Sequence, residues 1–305
     1  MKITLGAFPA VGGLAALVES ARAAADAGFS RVWFPQMPPA SDLPSWDPLT
    51  TIALAGIRTP GIEFGTSVMV AQTQHPFVLA RQALTASAGI GGRVTLGLGV
   101  SHQAVVTDMF GLSYASPAAY LREYLEVLLP ALAGKPVDHH GARITAVGQL
   151  ELGGAPVPPV IISALGPRML QLAGELAEGT VTAWTGLKTV AEHIVPRINA
   201  AATDAGRPTP QVVVGVPVSV TADADAARQQ IAASMSPGDF PAYRAVLDLE
   251  GVNSVADVCV FGDETEVAAQ LRRFADAGAT EFSAFPIGDP ATVTRTLGVL
   301  AGLSA

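Results

Sequence analysis

Short apolar runs alternate with amphipathic stretches along the whole chain, and this alternation limits the possible folds more tightly than any other feature. Ile3–Phe8 reads as a buried strand, after which Leu14, Leu17, Val18, Ala21 and Ala25 recur at helical spacing and Arg31–Phe34 starts a second strand. Further strands are expected near Ile62–Val70, Arg93–Val100, Pro159–Ser163, Gly179–Trp184, Gln211–Val220 and Thr280–Pro286. Helices are expected near 46–57, 76–88, 117–132, 167–177, 188–204, 222–234, 264–277 and 290–303. The strands are continuous apolar runs without period-two alternation, as suits strands covered on both faces. Asp-Ala-Gly closes a helix at 26–28, 204–206 and 276–278, each glycine standing where a helix end can turn left-handed. Eight strand–helix units in 305 residues give a single (β/α)₈ barrel over residues 1–305. No Gly-x-Gly-x-x-Gly follows the first strand, which disfavours a doubly wound open sheet, and no linker divides the chain. Residues 135–157 are expected as an inserted hairpin and 235–255 as a second insertion, near the carboxyl-end face where barrels put lids and substrate walls.

Half of the residues are apolar and 14% are charged, which supplies a large core and excludes a disordered chain. A net charge of −8 argues against a nucleic-acid partner. Lysine occurs at positions 2, 135 and 188 alone, so an anionic ligand falls to arginines, backbone amides or helix ends. The lone Cys259 lies in the run Val258-Cys259-Val260 and is expected as a small core residue. Met1–Gly6 runs straight into a strand pattern, and no charged leader or membrane-length apolar stretch follows. The expectation is a soluble, cytoplasmic protein.

Barrel enzymes gather their chemistry at the carboxyl ends of the strands. Here those ends are Ala7-Phe8, Pro35-Gln36, Ser67-Val68-Met69, Gly99–His102, Ser163–Gly166, Ala183–Gly186, Val220-Thr221 and Pro286–Gly288. They hold few carboxylates, no paired acids and no set of metal ligands, so metal-free chemistry carried by a cofactor is expected. After the fifth strand, Ser163-Ala164-Leu165-Gly166-Pro167 runs through small residues into a helix. Pro167 fits a first helical turn, and the turn is either an ordinary tight connection or a phosphate seat on free N–H groups. Gly97 and Gly99 lack bulk, so a flat ring system could lie close to the backbone there. His102 is a candidate proton donor or acceptor, or a loop histidine bonded locally. His75 caps the helix opened by Pro76 or stands at the rim, and His193 is either structural or exposed. His139 and His140 have no further ligands at metal-binding spacing. Trp184 is placed to wall a pocket; Trp33 is equally suited to the core.

Several pieces resemble the luciferase-like flavin and deazaflavin-dependent oxidoreductases, in that family's order and across nearly the whole chain. They are Asp26–Trp33, Gln74-His75-Pro76, Gly91–Gly99, Leu170–Gly179 and Gly262–Val267. Within that superfamily the chain looks most like the actinobacterial branch dependent on coenzyme F420. The resemblance implies a non-prolyl cis peptide at Ser67-Val68 backing the cofactor ring. It also implies that Ser163, Ala164, Leu165 and Gly166 lie by ring and phosphate tail, with Thr185 and Gly186 on the phosphate side. Gly99, Pro167 and Trp184 complete the expected cofactor contacts. Many relatives carry Asp-His after the second strand, where this chain has Pro35-Gln36-Met37. That departure leaves proton handling to His102, to a substrate group or to water, with Gln36 beside it. The implied activity is hydride transfer between F420 and a small alcohol, ketone or enone. An FMN-dependent monooxygenase and a catalytically silent flavin- or deazaflavin-binding protein are the alternatives. Relatives commonly form homodimers, and the apolar composition is compatible with one.

Overall fold

The computed structural model describes residues 1–6, 13–39, 44, 46–235 and 240–304. In chain order the strands are β1 (Lys2–Gly6), β2 (Arg31–Phe34), β3 (Glu63–Thr66), β4 (Met69–Val70), β5 (Val94–Gly99), β6 (Val137–His140), β7 (Thr145–Gly148), β8 (Val160–Ser163), β9 (Gly179–Ala183), β10 (Gln211–Val220), β11 (Val260–Gly262) and β12 (Glu281–Pro286). The helices are α1 (Gly13–Asp26), α2 (Pro48–Arg58), α3 (Pro76–Gly89), α4 (Pro117–Leu132), α5 (Pro167–Leu176), α6 (Leu187–Thr189), α7 (Val195–Asp204), α8 (Ala224–Ser234), α9 (Pro241–Glu250), α10 (Glu264–Asp276) and α11 (Pro290–Ser304). Two π-helical turns occur, at Val105–Met109 and Val190–Ile194.

Strands pair in the order β11-β10-β12-β1-β2-β3-β5-β8-β9, and β9 pairs in turn with β10. This is the (β/α)₈ barrel with insertions that the alternation implied. All eight expected strands are present, with two differences. The third is interrupted at a cis Ser67–Val68 peptide, which separates β3 from β4. An additional short strand, β11, pairs with Val218–Val220 because β10, ten residues long, runs on to Val220 past Val218, where its pairing with β12 ends. Ala7 and Phe8, expected at the end of the first strand, lie outside the described residues, as do Pro237 and Gly238 of the second insertion.

Two compact units make up the chain. One comprises Met1–Gly6, Ala23–Arg31 and Ala164–Ala305. In it β1 lies parallel to β12 with Lys2 opposite Glu281, and β10 lies between β12 and β9. Glu281 is almost wholly buried and receives Arg31 Nη1 at 2.6 Å and the Thr4 hydroxyl at 2.8 Å. The expected helix ends are all here. Gly28, Gly206 and Gly278 have φ of +91°, +65° and +96°, and the residue after each donates its N–H five residues back, to Ala24, Ala202 and Phe274. That is the Schellman pattern, in which left-handed glycine satisfies carbonyls that the helix leaves open. Cys259 is buried as expected, its thiol on the Val255 carbonyl and its pKa pushed by burial up to about 12.

The second unit comprises Ala7–Arg22 and Val32–Ser163. Trp33 is fully buried and packs on Gly65, where a Cβ would stand 2.2 Å from the indole, so Trp33 is core. Arg93 donates to the carbonyls of Thr59, Ile62 and Gly56, fixing the amino end of β5. The first insertion is the expected antiparallel hairpin, β6 with β7. It joins α4 to β8 yet reaches back along α4: Glu123 accepts the N–H groups of Arg143 and Ile144, and His75 Nε2 lies 3.1 Å from the Thr145 carbonyl. His75 Nδ1 accepts the Phe77 N–H, so this histidine caps α3.

Candidate functional site

In the unit holding β2 to β8, the strand ends after β2, β3 and β5 are tied together by polar contacts. Thr66 Oγ1 donates to the Gly97 carbonyl at 2.7 Å and accepts the Gly97 N–H at 2.8 Å. Ser67 N–H donates to the Phe34 carbonyl, and the cis Ser67–Val68 peptide stands where the family resemblance put it. Gln36 Oε1 accepts the Val70 N–H at 2.8 Å, just past that peptide. Its side-chain carbonyl thus holds β4, in addition to the catalytic part expected of Gln36 beside His102. Two tyrosines of α4 hold the following turn, Tyr120 on the Ala71 carbonyl and Tyr124 on that of Gln74.

The glycines of β5 do not leave bare backbone. A Cβ on Gly97 would stand 1.8 Å from the Thr66 carbonyl, and one on Gly99 would stand 2.3 Å from Ser163 Oγ and 2.8 Å from Val68. Their absent side chains admit the buried Thr66 and the part-exposed Val68 and Ser163. Beyond β5, Ser101 is left-handed at φ +56°, a conformation costing a non-glycine residue roughly 1–3 kcal/mol. Tyr114 donates its hydroxyl to the Ser101 carbonyl at 3.0 Å, and the π-helical turn follows. His102 stands between them, half-buried, with burial lowering its pKa. The imidazole is accordingly neutral around pH 7 and better suited to accept a proton than to give one.

In the other unit, the Ala164–Gly166 turn joins the end of β8 to α5. Ala164 N–H donates to Thr180 Oγ1 at 3.2 Å, and Leu165 offers its carbonyl to His193 Nε2 at 2.7 Å. Gly166 precedes α5 without a side-chain cap, Pro167 is its first helical residue, and nothing lies within 4 Å of where a Gly166 Cβ would be. Arg168 is exposed in that first turn and places a cation there. An open, uncapped helix start bearing an arginine fits an anionic group.

After β9, Trp184 is left-handed at φ +57° and its ring centroid lies 4.5 Å from that of Tyr243 on α9. Thr185 and Gly186, expected on the phosphate side, follow Trp184 in the chain. Thr185 is fully buried with its hydroxyl 2.7 Å from that of Thr182. Gly186 lies against the Glu250 carboxylate, which accepts the N–H groups of Lys188 and Thr189 at 3.0 and 2.7 Å. The chain's own carboxylate takes this helix start, so an added anion would meet repulsion there. Glu250, Tyr243 and Tyr114 escaped the sequence reading. The one available signal was Pro241 followed ten residues later by Gly251, a helix opened by proline and closed by glycine.

His140 Nε2 pairs with the exposed Asp138 at 3.1 Å, and among the described residues no three His, Cys, Asp or Glu side chains gather as metal ligands. The rim instead offers packed small residues, one half-buried imidazole and one open helix start.

A family model described as luciferase-like monooxygenase matches residues 2–281, and the chain belongs to that family. Its relatives include the 5,10-methylenetetrahydromethanopterin reductase of Methanolobus tindarius, 26% identical over 88% of this chain and 89% of that protein. The F420-dependent hydroxymycolic acid dehydrogenase of Mycobacterium tuberculosis is 29% identical, over 90% of this chain and 80% of the relative. A solved F420-dependent secondary alcohol dehydrogenase, in complex with an F420-acetone adduct, shares the fold. Its TM-score is 0.83 at 20% identity, covering 99% of this chain and 98% of that one.

Proposed function

We propose that this protein is an oxidoreductase that transfers hydride between coenzyme F420 and a small organic substrate, an alcohol, ketone or enone. One observation carries the reading: the open start of α5, uncapped at Gly166 and bearing Arg168, belongs to a chain aligned over nine-tenths of its length with an F420-dependent dehydrogenase. The cofactor phosphate would take the N–H groups of Gly166 and Arg168, with Ala164, Leu165 and Pro167 shaping the seat. The ring would rest on Ser67, Val68 and Ser163, the last two of which fill the space over Gly99. When bound, F420 supplies a ring carbon that takes or gives hydride.

The chain's own part is to bind, orient and move a proton. A ring nitrogen of His102 takes the hydroxyl proton as an alcohol is oxidised, a role its lowered pKa favours. Gln36 keeps β4 in place through Val70, and Trp184, backed by Tyr243, walls the substrate from water. A homodimer is part of the same proposal, supported by exposed Leu54 and Ile57 on α2 and Val78 on α3. So is a cytoplasmic location; no helix among the described residues is long and apolar enough to cross a membrane.

Titrating the apoprotein with F420 and with FMN, followed by an anaerobic turnover assay with alcohols and ketones, tests the reading. Saturable F420 binding with hydride exchange is expected. Selective FMN binding with oxygen-dependent turnover, or F420 binding without turnover on any substrate tried, would overturn it.

A further inference from the structure

His193 is nearly fully buried on the π-helical turn Val190–Ile194, far in sequence from the turn it touches. Its Nε2–H donates to the Leu165 carbonyl at 2.7 Å, while its own backbone carbonyl accepts Arg197 Nη1 at 3.2 Å. A π-turn widens the helix by one residue and so turns a side chain away from the regular helical face. Here the displaced side chain meets the middle of the turn after β8. That turn is held at two points: Thr180 takes the Ala164 N–H and His193 supplies a donor to Leu165. With the Leu165 carbonyl turned toward His193, the amides that follow at Gly166 and Arg168 lead into the open start of α5.

We infer that His193 is a positioning residue for cofactor binding, fixing the Leu165 peptide so that the start of α5 is preorganised for the cofactor's phosphate. The inference rests on the function proposed above and adds a residue outside the rim to it. Both neutral imidazole in the Nε2–H tautomer and imidazolium can donate this bond, so the effect is one of geometry and not of charge. Loss of a preorganising hydrogen bond weakens binding without altering the chemistry at the far end of the ligand.

The test compares wild type, His193→Ala and His193→Gln, the last able to present an amide N–H toward Leu165. Whichever of F420 or FMN the wild type binds serves as the probe. His193→Ala should weaken the cofactor Kd about tenfold, a change on the scale of one buried hydrogen bond, while kcat at saturating cofactor holds. His193→Gln should recover most of the affinity. Melting temperatures measured alongside separate this from a purely structural role, in which stability falls while Kd is unchanged; that result would overturn the inference. A fall in kcat at saturation with unchanged Kd would do the same. Should His193→Ala fail to fold, His193→Gln against His193→Phe gives the same comparison. Wild type binding FMN alone would remove the F420 reading yet leave this inference open to the same comparison; wild type binding neither would sink both.

Discussion

Single side chains at the strand ends hold the backbone of the turns there. Gln36, Tyr114, Tyr120, Tyr124 and His193 all spend their polar atoms on backbone groups of rim turns. His102 is the residue proposed for proton chemistry, and its lowered pKa sets a testable direction. As a base it works deprotonated, so alcohol oxidation should be flat through neutral pH and fall only below the ordinary histidine range near 6.5. His102→Ala should abolish that acidic limb and slow single-turnover hydride transfer; an unchanged rate removes His102 from the chemistry. Arg31 and Glu281 make the opposite kind of pair, buried at 8% and 4% side-chain exposure and far from any reactive group. Glu281→Leu alone should cost about 3–5 kcal/mol in urea unfolding by removing one side of this buried ion pair, and adding Arg31→Met should recover part of it.

Helices and strands show which parts of the sequence spoke for themselves. Gly28 at φ +91° sits in a Schellman end, so Gly28→Ala should cost about 1–2 kcal/mol, measured by chemical denaturation. Local chemistry of that kind was legible: the Asp-Ala-Gly ends, the Pro-led helices and the eight buried strands followed from residues close together in the chain. The hairpin at 137–148 was legible for the same reason. Contacts between distant segments were not. Nothing near Gly186 announces Glu250, and nothing in Gly97-Leu98-Gly99 says that Thr66, Val68 and Ser163 fill the gaps. Glycine marks close approach in each case, but sequence alone cannot say whether a ligand or the protein makes it. Helix α9 illustrates the consequence. It is fastened by Glu250 to Lys188 and Thr189, by Val246 to Thr189 and by Tyr243 to Trp184. Glu250→Ala should raise amide exchange at Lys188 and Thr189 and loosen α9, read by hydrogen exchange.

At the scale of the molecule, neither compact unit is a continuous stretch of chain. The unit holding residues 164–305 also needs Met1–Gly6, which supplies β1 beside β12, and Arg31, which neutralises Glu281. A fragment of residues 164–305 would expose an edge of β12 and leave the Glu281 carboxylate buried without its cation. Such a fragment should fail to show cooperative unfolding, and a fragment with a sharp thermal transition would contradict this. Family membership across residues 2–281 leads back to a bound cofactor. The most direct measurement is a crystal structure of the protein grown with F420. The expected result is a phosphate within hydrogen-bond distance of the N–H groups of Gly166 and Arg168 and a ring against Ser67–Val68. A phosphate at the Lys188 and Thr189 amides with Glu250 displaced, or no cofactor density at saturating concentration, would contradict it.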